Sequence, residues 1–281
     1  MYLGKVSIFL ITQLIQKYNP ALWIHKKEHY YPIDIESYID KSDLYCNSTL
    51  INYRESFHNI SKKHGSDCYF KPTSKLKYGI HNKTELNSNV PVYVYYKQFD
   101  YFLDVRYIYF YGYNGPYPLI DVNHWFNYKY GEHYSDFEHI TMRFVKNKMG
   151  KLVLSKIYYG AHTKVEGVWK YPDEIEWKTN RPISYVALHG HGNYPHSGIY
   201  PRILGLGTDY CQQGFLWKPK KIIYINTKNS SWHSYIGKYS KNNEYTTLWE
   251  KTWGDKNAET NISTNPVRRF FYLYYDNYPK K

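Results

Sequence analysis

Three side chains that commonly bind cations, His133, Asp136 and Glu138, lie close together in the segment 131–144. The second half of this segment is rich in β-branched and aromatic residues and follows a glycine, which favours a β-strand. Because successive side chains of a strand point to opposite faces, we expect Asp136 and Glu138 to share one face. Two carboxylates and an imidazole are typical ligands of a divalent cation. The alternative is a solvated strand end that carries a few salt bridges.

Two further histidines are candidate ligands of the same cation. His162 and His191 each follow a predicted strand, so we expect them to approach His133 at one end of the fold. The alternative is that each is an ordinary surface histidine. Imidazoles beside carboxylates suit zinc or manganese, whereas carboxylates with water suit calcium or magnesium. The sequence therefore predicts a divalent metal cation, Ca, Mg, Mn or Zn, without choosing among them.

The two carboxylates also allow an acid–base interpretation. Neighbours on one strand face lie roughly 6 to 7 Å apart, near the spacing of the acid and base in a glycosidase. No serine or cysteine nucleophile motif accompanies them. Asn114 and Asp121, on either side of a Gly-Pro turn, are additional candidate oxygen ligands. Arg143 alternates to the opposite strand face and is expected to be structural.

The segments that must position these residues are short and β-rich. They comprise residues 92–96, 104–111, 137–144, 151–159, 183–188, 222–225 and 269–275. Many short strands separated by Gly, Pro and Asn are typical of a sandwich or barrel. We predict a mostly-β fold, a single β-sandwich domain with an N-terminal helix and peripheral short helices.

The 281 residues are predicted to form one domain, with a core at 18–225 and a C-terminal extension at 226–281. Residues 46–90 are polar and contain glycine and proline, so they are predicted to be a loop-like insertion. The apolar run 6–15 is too short to span a bilayer. We expect it to form an amphipathic helix that ends near Tyr18, because Pro20 follows. The alternative is a weak signal peptide.

The formal net charge is +13, and the 36 tyrosines are part of an aromatic content of 20%. The basic residues are scattered, with one dense group at 218–221, and no nucleic-acid motif accompanies them. We therefore expect no specific nucleic acid, but attraction to an anionic membrane or glycolipid surface. Of three cysteines, Cys46 and Cys68 would pair in an oxidising compartment and leave Cys211 free. A cytoplasmic or peripheral membrane location is favoured over secretion.

Four stretches, in chain order, resemble the vacuolar protein sorting-associated protein 62 family. They are YNPALWIH at 18–25 with Glu28, YIYFYGYNGP at 107–116, the segment 131–144, and RPISYVALHGHGNYP at 181–195. The resemblance covers about residues 18–215 and implies a fold and a site more than a reaction. This sequence departs from the family pattern at Glu132, Ser135, Phe137, Gly190 and Gly192.

The segment around Asp136 also resembles the heptapeptide of the necrosis- and ethylene-inducing-like proteins. Those proteins are secreted β-sandwich cytolysins that hold a divalent cation at one end of the sandwich. The resemblance implies that His133, Asp136 and Glu138 are metal ligands, whereas the second histidine of the heptapeptide falls on Ser135.

These patterns favour a divalent-cation-dependent binding module that acts at a membrane or glycolipid surface. Two other functions are compatible with the same residues. One is a metal-assisted hydrolase that uses the acidic and histidine cluster, and the other is a structural or packaging protein that keeps the fold without the site.

Overall fold

The computed structural model describes residues 2–51, 57–64, 68–79, 82–116, 132–161, 166–202 and 207–225. The helices are α1 (Ile8–Tyr18), α2 (Ile35–Asp40), α3 (Phe57–His64) and α4 (Lys83–Asn89), with 3-10 helices at Ser74–Tyr78 and Pro172–Glu174. The first strands are β1 (Ala21–Ile24), β2 (Ser42–Cys46), β3 (Thr49–Ile51), β4 (Cys68–Pro72), β5 (Val92–Gln98), β6 (Leu103–Asn114), β7 (His133–Lys146) and β8 (Leu152–Tyr159). The remaining strands are β9 (Val168–Lys170), β10 (Trp177–Lys178), β11 (Arg181–Val186), β12 (Asn193–Tyr194), β13 (Gly198–Arg202), β14 (Gly207–Cys211), β15 (Phe215–Trp217) and β16 (Ile222–Tyr224).

The chain divides into two compact units. Unit 1 comprises Met1–Glu28, His81–Tyr109 and Glu138–Asn226, and unit 2 comprises His29–Ile80, Phe110–Phe137 and Thr227–Lys281. The division falls inside β6 and inside β7, so each of these strands contributes residues to both units. The prediction of a single domain remains a prediction.

Unit 1 is built on two sheets. One sheet has the order β10-β11-β1-β15, with β12 paired to β11, and the other has the order β16-β5-β6-β7-β8-β9. The hydroxyl of Tyr159 on β8 donates to the carbonyl of Ile183 on β11 at 2.9 Å. The ring of Tyr109 on β6 lies 5.7 Å from that of Trp217 on β15. The two sheets therefore pack face to face through buried aromatic residues, and the predicted mostly-β sandwich is confirmed.

Helix α1 confirms the predicted N-terminal helix, including its end at Tyr18. The side chain of Ser7 caps its first turn by accepting the backbone N–H of Leu10. One face of the helix is buried through Ile11, Leu14 and Ile15, as an amphipathic helix requires. Among the described residues, no helix is long and apolar enough to span a bilayer.

Unit 2 contains a small sheet with the order β3-β2-β4. A disulfide joins Cys46 on β2 to its partner in the register, Cys68 on β4. Asp34 caps the N-terminus of helix α2, because its carboxylate accepts the backbone N–H of Glu36. The loop-like character predicted for 46–90 is wrong for the described part, because sheet pairing and short helices organise this polar segment. Polar composition could not reveal the pairing of β2 with β4.

Three of the predicted strand segments, 104–111, 137–144 and 183–188, lie in the packed sheets, with β6 and β7 in one sheet and β11 in the other. Strand β7 is longer than predicted, since it runs from His133 to Lys146. Residues 135–142 of β7 are all buried, so both faces of the strand are covered rather than one. The predicted strand at 269–275 and the C-terminal extension lie outside the described residues.

Candidate functional site

The two carboxylates at the beginning of β7 are buried. Asp136 and Glu138 are 8% and 7% exposed, so the alternative of a solvated strand end is wrong. Ser135, directly before them, has a φ of 66°, which interrupts the regular strand geometry. His133 is half-buried, and its Nδ1 lies 3.3 Å from the carbonyl oxygen of Tyr134. Of the other predicted ligands, His162 and Asp121 lie outside the described residues.

His191, the other predicted imidazole, is completely buried and faces the carboxylate of Glu28. The distance from its Nε2 to Glu28 Oε2 is 3.8 Å. The same carboxylate accepts the backbone N–H of His189 at 2.6 Å, and its Oε1 lies 3.5 Å from His189 Nδ1. Glu28, His189 and His191 therefore form one compact group in unit 1, which we call the Glu28 cluster.

Parallel pairing explains how the Glu28 cluster forms. Strand β1 pairs with β11 in parallel, with Ile24 beside Val186. Both strands therefore end at the same edge of the sheet. The turn that carries Glu28 follows β1, and it closes with a hydrogen bond from the Glu28 N–H to the carbonyl of His25 at 2.9 Å. The loop that carries both histidines follows β11, so the two segments meet at that edge.

The two histidines of the Glu28 cluster have a strained backbone conformation. His189 and His191 have φ angles of 66° and 55°, in the left-handed region that side chains other than glycine rarely occupy. The loop between them is fixed by hydrogen bonds from the His191 N–H to the Ala187 carbonyl and from the Gly190 N–H to the Leu188 carbonyl. Such strain costs free energy and is concentrated at functional sites.

His25 lies next to the cluster but has a different role. Its Nδ1 accepts the backbone N–H of Lys27 at 3.1 Å, so the neutral ring carries its proton on Nε2. Burial lowers the pKa of His25, the carboxylate of Glu28 partly offsets this, and the nearby His189 and lysines lower it further. His25 is therefore a neutral neighbour of the Glu28 cluster.

The distances within the Glu28 cluster are longer than hydrogen bonds between side chains. The two N···O distances of 3.5 and 3.8 Å lie at or beyond the hydrogen-bond limit. Two ligands of one zinc ion, each bound at 2.0 to 2.1 Å, lie about 3.4 Å apart in a tetrahedron. The two N···O distances of 3.5 and 3.8 Å in the Glu28 cluster are near this spacing. Over the described ranges, however, no three His, Cys, Asp or Glu side chains are gathered in a way that could hold a metal.

A chain of backbone contacts connects β7 to the histidine loop within unit 1. The N–H of Gly160 donates to the carbonyl of His139, the residue after Glu138, at 3.1 Å. The carbonyl of Gly160 in turn accepts the N–H of Asn193, two residues after His191, at 2.8 Å. Gly160 therefore links the backbone of His139 on β7 to that of Asn193, just after the histidine loop.

Arg143 is structural, in agreement with the prediction. Its guanidinium makes two hydrogen bonds to Asp104, at 2.9 and 2.8 Å, and packs against the rings of Phe102 and Trp169. Asn114, a candidate oxygen ligand, is buried, and its amide donates to the neighbouring Gly115 carbonyl at 3.3 Å. Turn chemistry accounts for that contact.

Sequence reasoning identified His191 but missed Glu28 and His189 as its neighbours. Two signals were present in the sequence. Glu28 belongs to a stretch that carries the family resemblance, and His189 precedes His191 by two residues. What was lacking is the parallel pairing of β1 with β11, because strands that far apart in the chain leave no local pattern.

Solved structures similar to the chain include the non-toxic HaNLP3 protein, with a TM-score of 0.38, 11% identity and coverage of 80% of this chain and 79% of that chain. Another is Necrosis and Ethylene inducing Protein 2 from the causal agent of cocoa's Witches Broom disease, with a TM-score of 0.34, 11% identity and coverage of 80% and 76%. No curated protein sequence matches the chain.

The family model of the vacuolar protein sorting-associated protein 62 matches residues 7–214. This match includes α1, strands β1 to β14 and the whole Glu28 cluster, and it contains all four stretches that carry the resemblance. The chain belongs to the vacuolar protein sorting-associated protein 62 family.

Proposed function

We propose that this protein is a divalent-cation-dependent binding module that acts at an anionic membrane or glycolipid surface. The observation that carries the proposal is the buried carboxylate of Glu28, which faces the imidazoles of His189 and His191. A buried carboxylate is costly unless cations or donors compensate it. Two imidazoles and a carboxylate are a donor set that a divalent cation satisfies.

The chemistry of the cluster favours zinc or manganese over calcium or magnesium, because two of its three donors are imidazole nitrogens. His189 is 21% exposed at its side chain, whereas those of Glu28 and His191 are 0% exposed. His189 is therefore the member of the cluster that solvent reaches. Binding requires a rearrangement of these side chains, because as they stand they are not gathered in a way that could hold a metal.

Carboxylates of β7 would complete the ligand set. Glu138 is buried, as a metal-binding carboxylate within the fold would be, and it is proposed as a further oxygen ligand. Asp136, His133 and His162 remain proposed ligands on the grounds of sequence alone. The net charge of +13 supports the choice of an anionic surface as the partner.

Chelation followed by metal addition tests the proposal. We expect EDTA to lower the melting temperature of the protein, and added zinc or manganese to restore it, because a ligand that binds the native state stabilises it by mass action. Glu28→Gln should abolish both shifts. Glu36→Gln, which changes an exposed carboxylate in the first turn of α2, should leave both shifts intact.

Vesicle binding tests the second half of the proposal. Flotation with vesicles that contain phosphatidylserine should be stronger with the metal than with EDTA, and the Glu28→Gln variant should not respond to the metal. If neither zinc, manganese, calcium nor magnesium changes the melting temperature or the flotation of the wild-type protein, the cation-dependent module is ruled out.

A further inference from the structure

A group of apolar and aromatic side chains is exposed at the N-terminal end of unit 1. Tyr2, Ile8, Phe9 and Tyr101 are 64%, 71%, 72% and 62% exposed, respectively. Ile8 and Phe9 form the first turn of α1, and Tyr101 lies in the turn between β5 and β6. We call these four residues the N-terminal apolar surface. Large exposed side chains that are grouped in this way mark sites of association with a partner.

Hydrogen bonds hold the N-terminal segment against the β5–β6 turn. The N–H of Leu3 donates to the Asp100 carbonyl at 2.6 Å. The side chain of Gln98 donates to the Gly4 carbonyl at 2.5 Å and accepts the N–H of Val6 at 3.0 Å. The ring of Tyr2 contacts that of Tyr101 edge to face, with 6.4 Å between ring centroids. The surface is therefore already formed in the folded protein, and little conformational entropy is lost when a partner covers it.

The outward orientation of the first turn is fixed by the rest of α1. Ile11, Leu14 and Ile15 are buried, and the hydroxyl of Tyr107 donates to the carbonyl of Ile15 at 2.9 Å. The helix cannot rotate to bury Ile8 and Phe9 without exposing those three residues. Their exposure is therefore a property of the fold.

Lysines accompany the N-terminal apolar surface. Lys5 is exposed within the N-terminal segment that these hydrogen bonds hold, and the ammonium of Lys146 lies beside Gly4. Lys97 lies over the ring of Phe99 at 5.0 Å, at the start of the same β5–β6 turn. Asp100 is the acidic residue of that turn. Because these three lysines accompany one carboxylate, the region carries a net positive charge, which complements an anionic surface.

We propose that the N-terminal apolar surface inserts into the headgroup region of an anionic lipid bilayer. Aromatic and aliphatic side chains flanked by lysines have the composition that binds at the membrane interface, where rings lie at headgroup level and ammonium groups meet lipid phosphates. The positive balance favours a bilayer over a second copy of this basic chain, because two copies would bring like charges together. The inference rests on the proposed function for the choice of a membrane as partner, and it names the residues that make the contact.

Flotation with vesicles tests the inference on the full chain. The vesicles contain phosphatidylcholine and roughly one third phosphatidylserine, with pure phosphatidylcholine as the comparison. The double variant Ile8→Gln, Phe9→Gln should bind about tenfold more weakly, since burying either side chain in an apolar environment contributes to affinity. Lys5→Glu should weaken binding to the anionic vesicles roughly fivefold and leave binding to pure phosphatidylcholine unchanged. Ile199→Gln is the matched control, because Ile199 is 65% exposed on β13 and should have no effect.

Circular dichroism and melting temperature should be unchanged in every variant, because each replaced side chain is exposed. If the double variant floats as well as the wild type, the inference is overturned while the proposed function stands. If the double variant loses flotation but metal has no effect on the wild type, the inference stands and cation dependence is wrong. If the wild type never floats, or if light scattering finds a dimer that the double variant abolishes, the bilayer is not the partner.

Discussion

The carboxylate of Glu28 accepts the backbone N–H of His189 at 2.6 Å, across a separation of 161 residues in the sequence. The contact forms because β1 and β11 run in parallel and end at the same edge of their sheet. The turn after one strand thereby fixes the loop after the other. The hydrogen bond also holds His189 in a left-handed conformation that the isolated loop would rarely adopt.

Removing this carboxylate should destabilise the protein even in the absence of any metal. In Glu28→Ala, the N–H of His189 loses its acceptor, and the left-handed loop loses its support. We expect the free energy of unfolding to fall by about 3 kcal/mol, as when one partner of a buried ionic group is removed. Urea denaturation with EDTA present measures the change. The control variant Glu36→Ala, at an exposed position, should lower the free energy of unfolding by less than about 0.5 kcal/mol. If both variants lose the same free energy of unfolding, the structural role of Glu28 is refuted.

Burial of His25 should make stability depend on pH. Its pKa in the folded protein is below the ordinary value of 6.5, mainly because of burial, so the unfolded chain binds the proton more readily. The stabilising contribution is therefore complete above the unfolded pKa, and it is lost as the pH falls through 6.5 toward the folded pKa. Urea midpoints of wild type and His25→Asn, measured with EDTA at neutral and mildly acidic pH, should converge as the pH falls. Asparagine is chosen because it keeps an acceptor for the Lys27 N–H. If the stabilities of the two proteins change with pH in parallel, the lowered pKa of His25 in the folded protein is wrong.

Much of the fold could be predicted from local sequence. The end of α1 follows from Pro20, and the strands β6, β7 and β11 follow from dense β-branched and aromatic residues. Alternation within β7 was the weaker prediction. Burial does not alternate along β7, because packing on both faces covers residues 135–142, and Ser135 takes a positive φ.

The candidate site could be predicted less well, for a physical reason. Composition placed His191 at a strand end correctly, but its neighbour Glu28 comes from a strand paired in parallel and distant in the chain. Periodicity reports which face of an element is apolar, and it carries no information on which elements pair. The predicted ligands His133, Asp136 and His162 remain predictions.

Gly160 should tolerate no side chain. A Cβ at this position would lie 2.6 Å from Cε1 and 2.7 Å from Nδ1 of His139, well inside van der Waals contact. We expect Gly160→Ala to destabilise the protein by about 3 kcal/mol, since overpacking forces neighbouring groups to shift. Gly150→Ala is a suitable control because a Cβ there meets nothing within 4 Å, and its positive φ costs about 1 kcal/mol. Chemical denaturation measures the free energy of unfolding of both variants. If the two variants lose the same amount, the side chain of His139 moves aside without cost and the prediction is wrong.

The Cys46–Cys68 disulfide should stabilise the sheet of unit 2. It closes a separation of 22 residues, for which the loss of chain entropy in the unfolded state corresponds to about 3 kcal/mol. Dithiothreitol should therefore lower the melting temperature of the wild type. It should not affect the variant Cys46→Ala, Cys68→Ala, in which the remaining cysteine, Cys211, is free and buried. If the wild type melts at the same temperature in reducing and oxidising buffer, the disulfide does not contribute to the stability of the fold. A stabilising disulfide is consistent with a protein that folds in an oxidising compartment.

Asp136 and Glu138 provide the last test, because their amides keep the shape of the side chains and remove the charge. If both carboxylates take part in cation binding, the variant Asp136→Asn, Glu138→Gln should not respond to EDTA or to added zinc, although it still folds. The control is Asp104→Asn, which changes a buried carboxylate that pairs with Arg143 on the neighbouring strand. That variant should lose stability, because the guanidinium is left without its partner, and yet keep the full response to EDTA. A β7 variant that responds to metal like the wild type, while Glu28→Gln does not, would assign the cation to the Glu28 cluster alone.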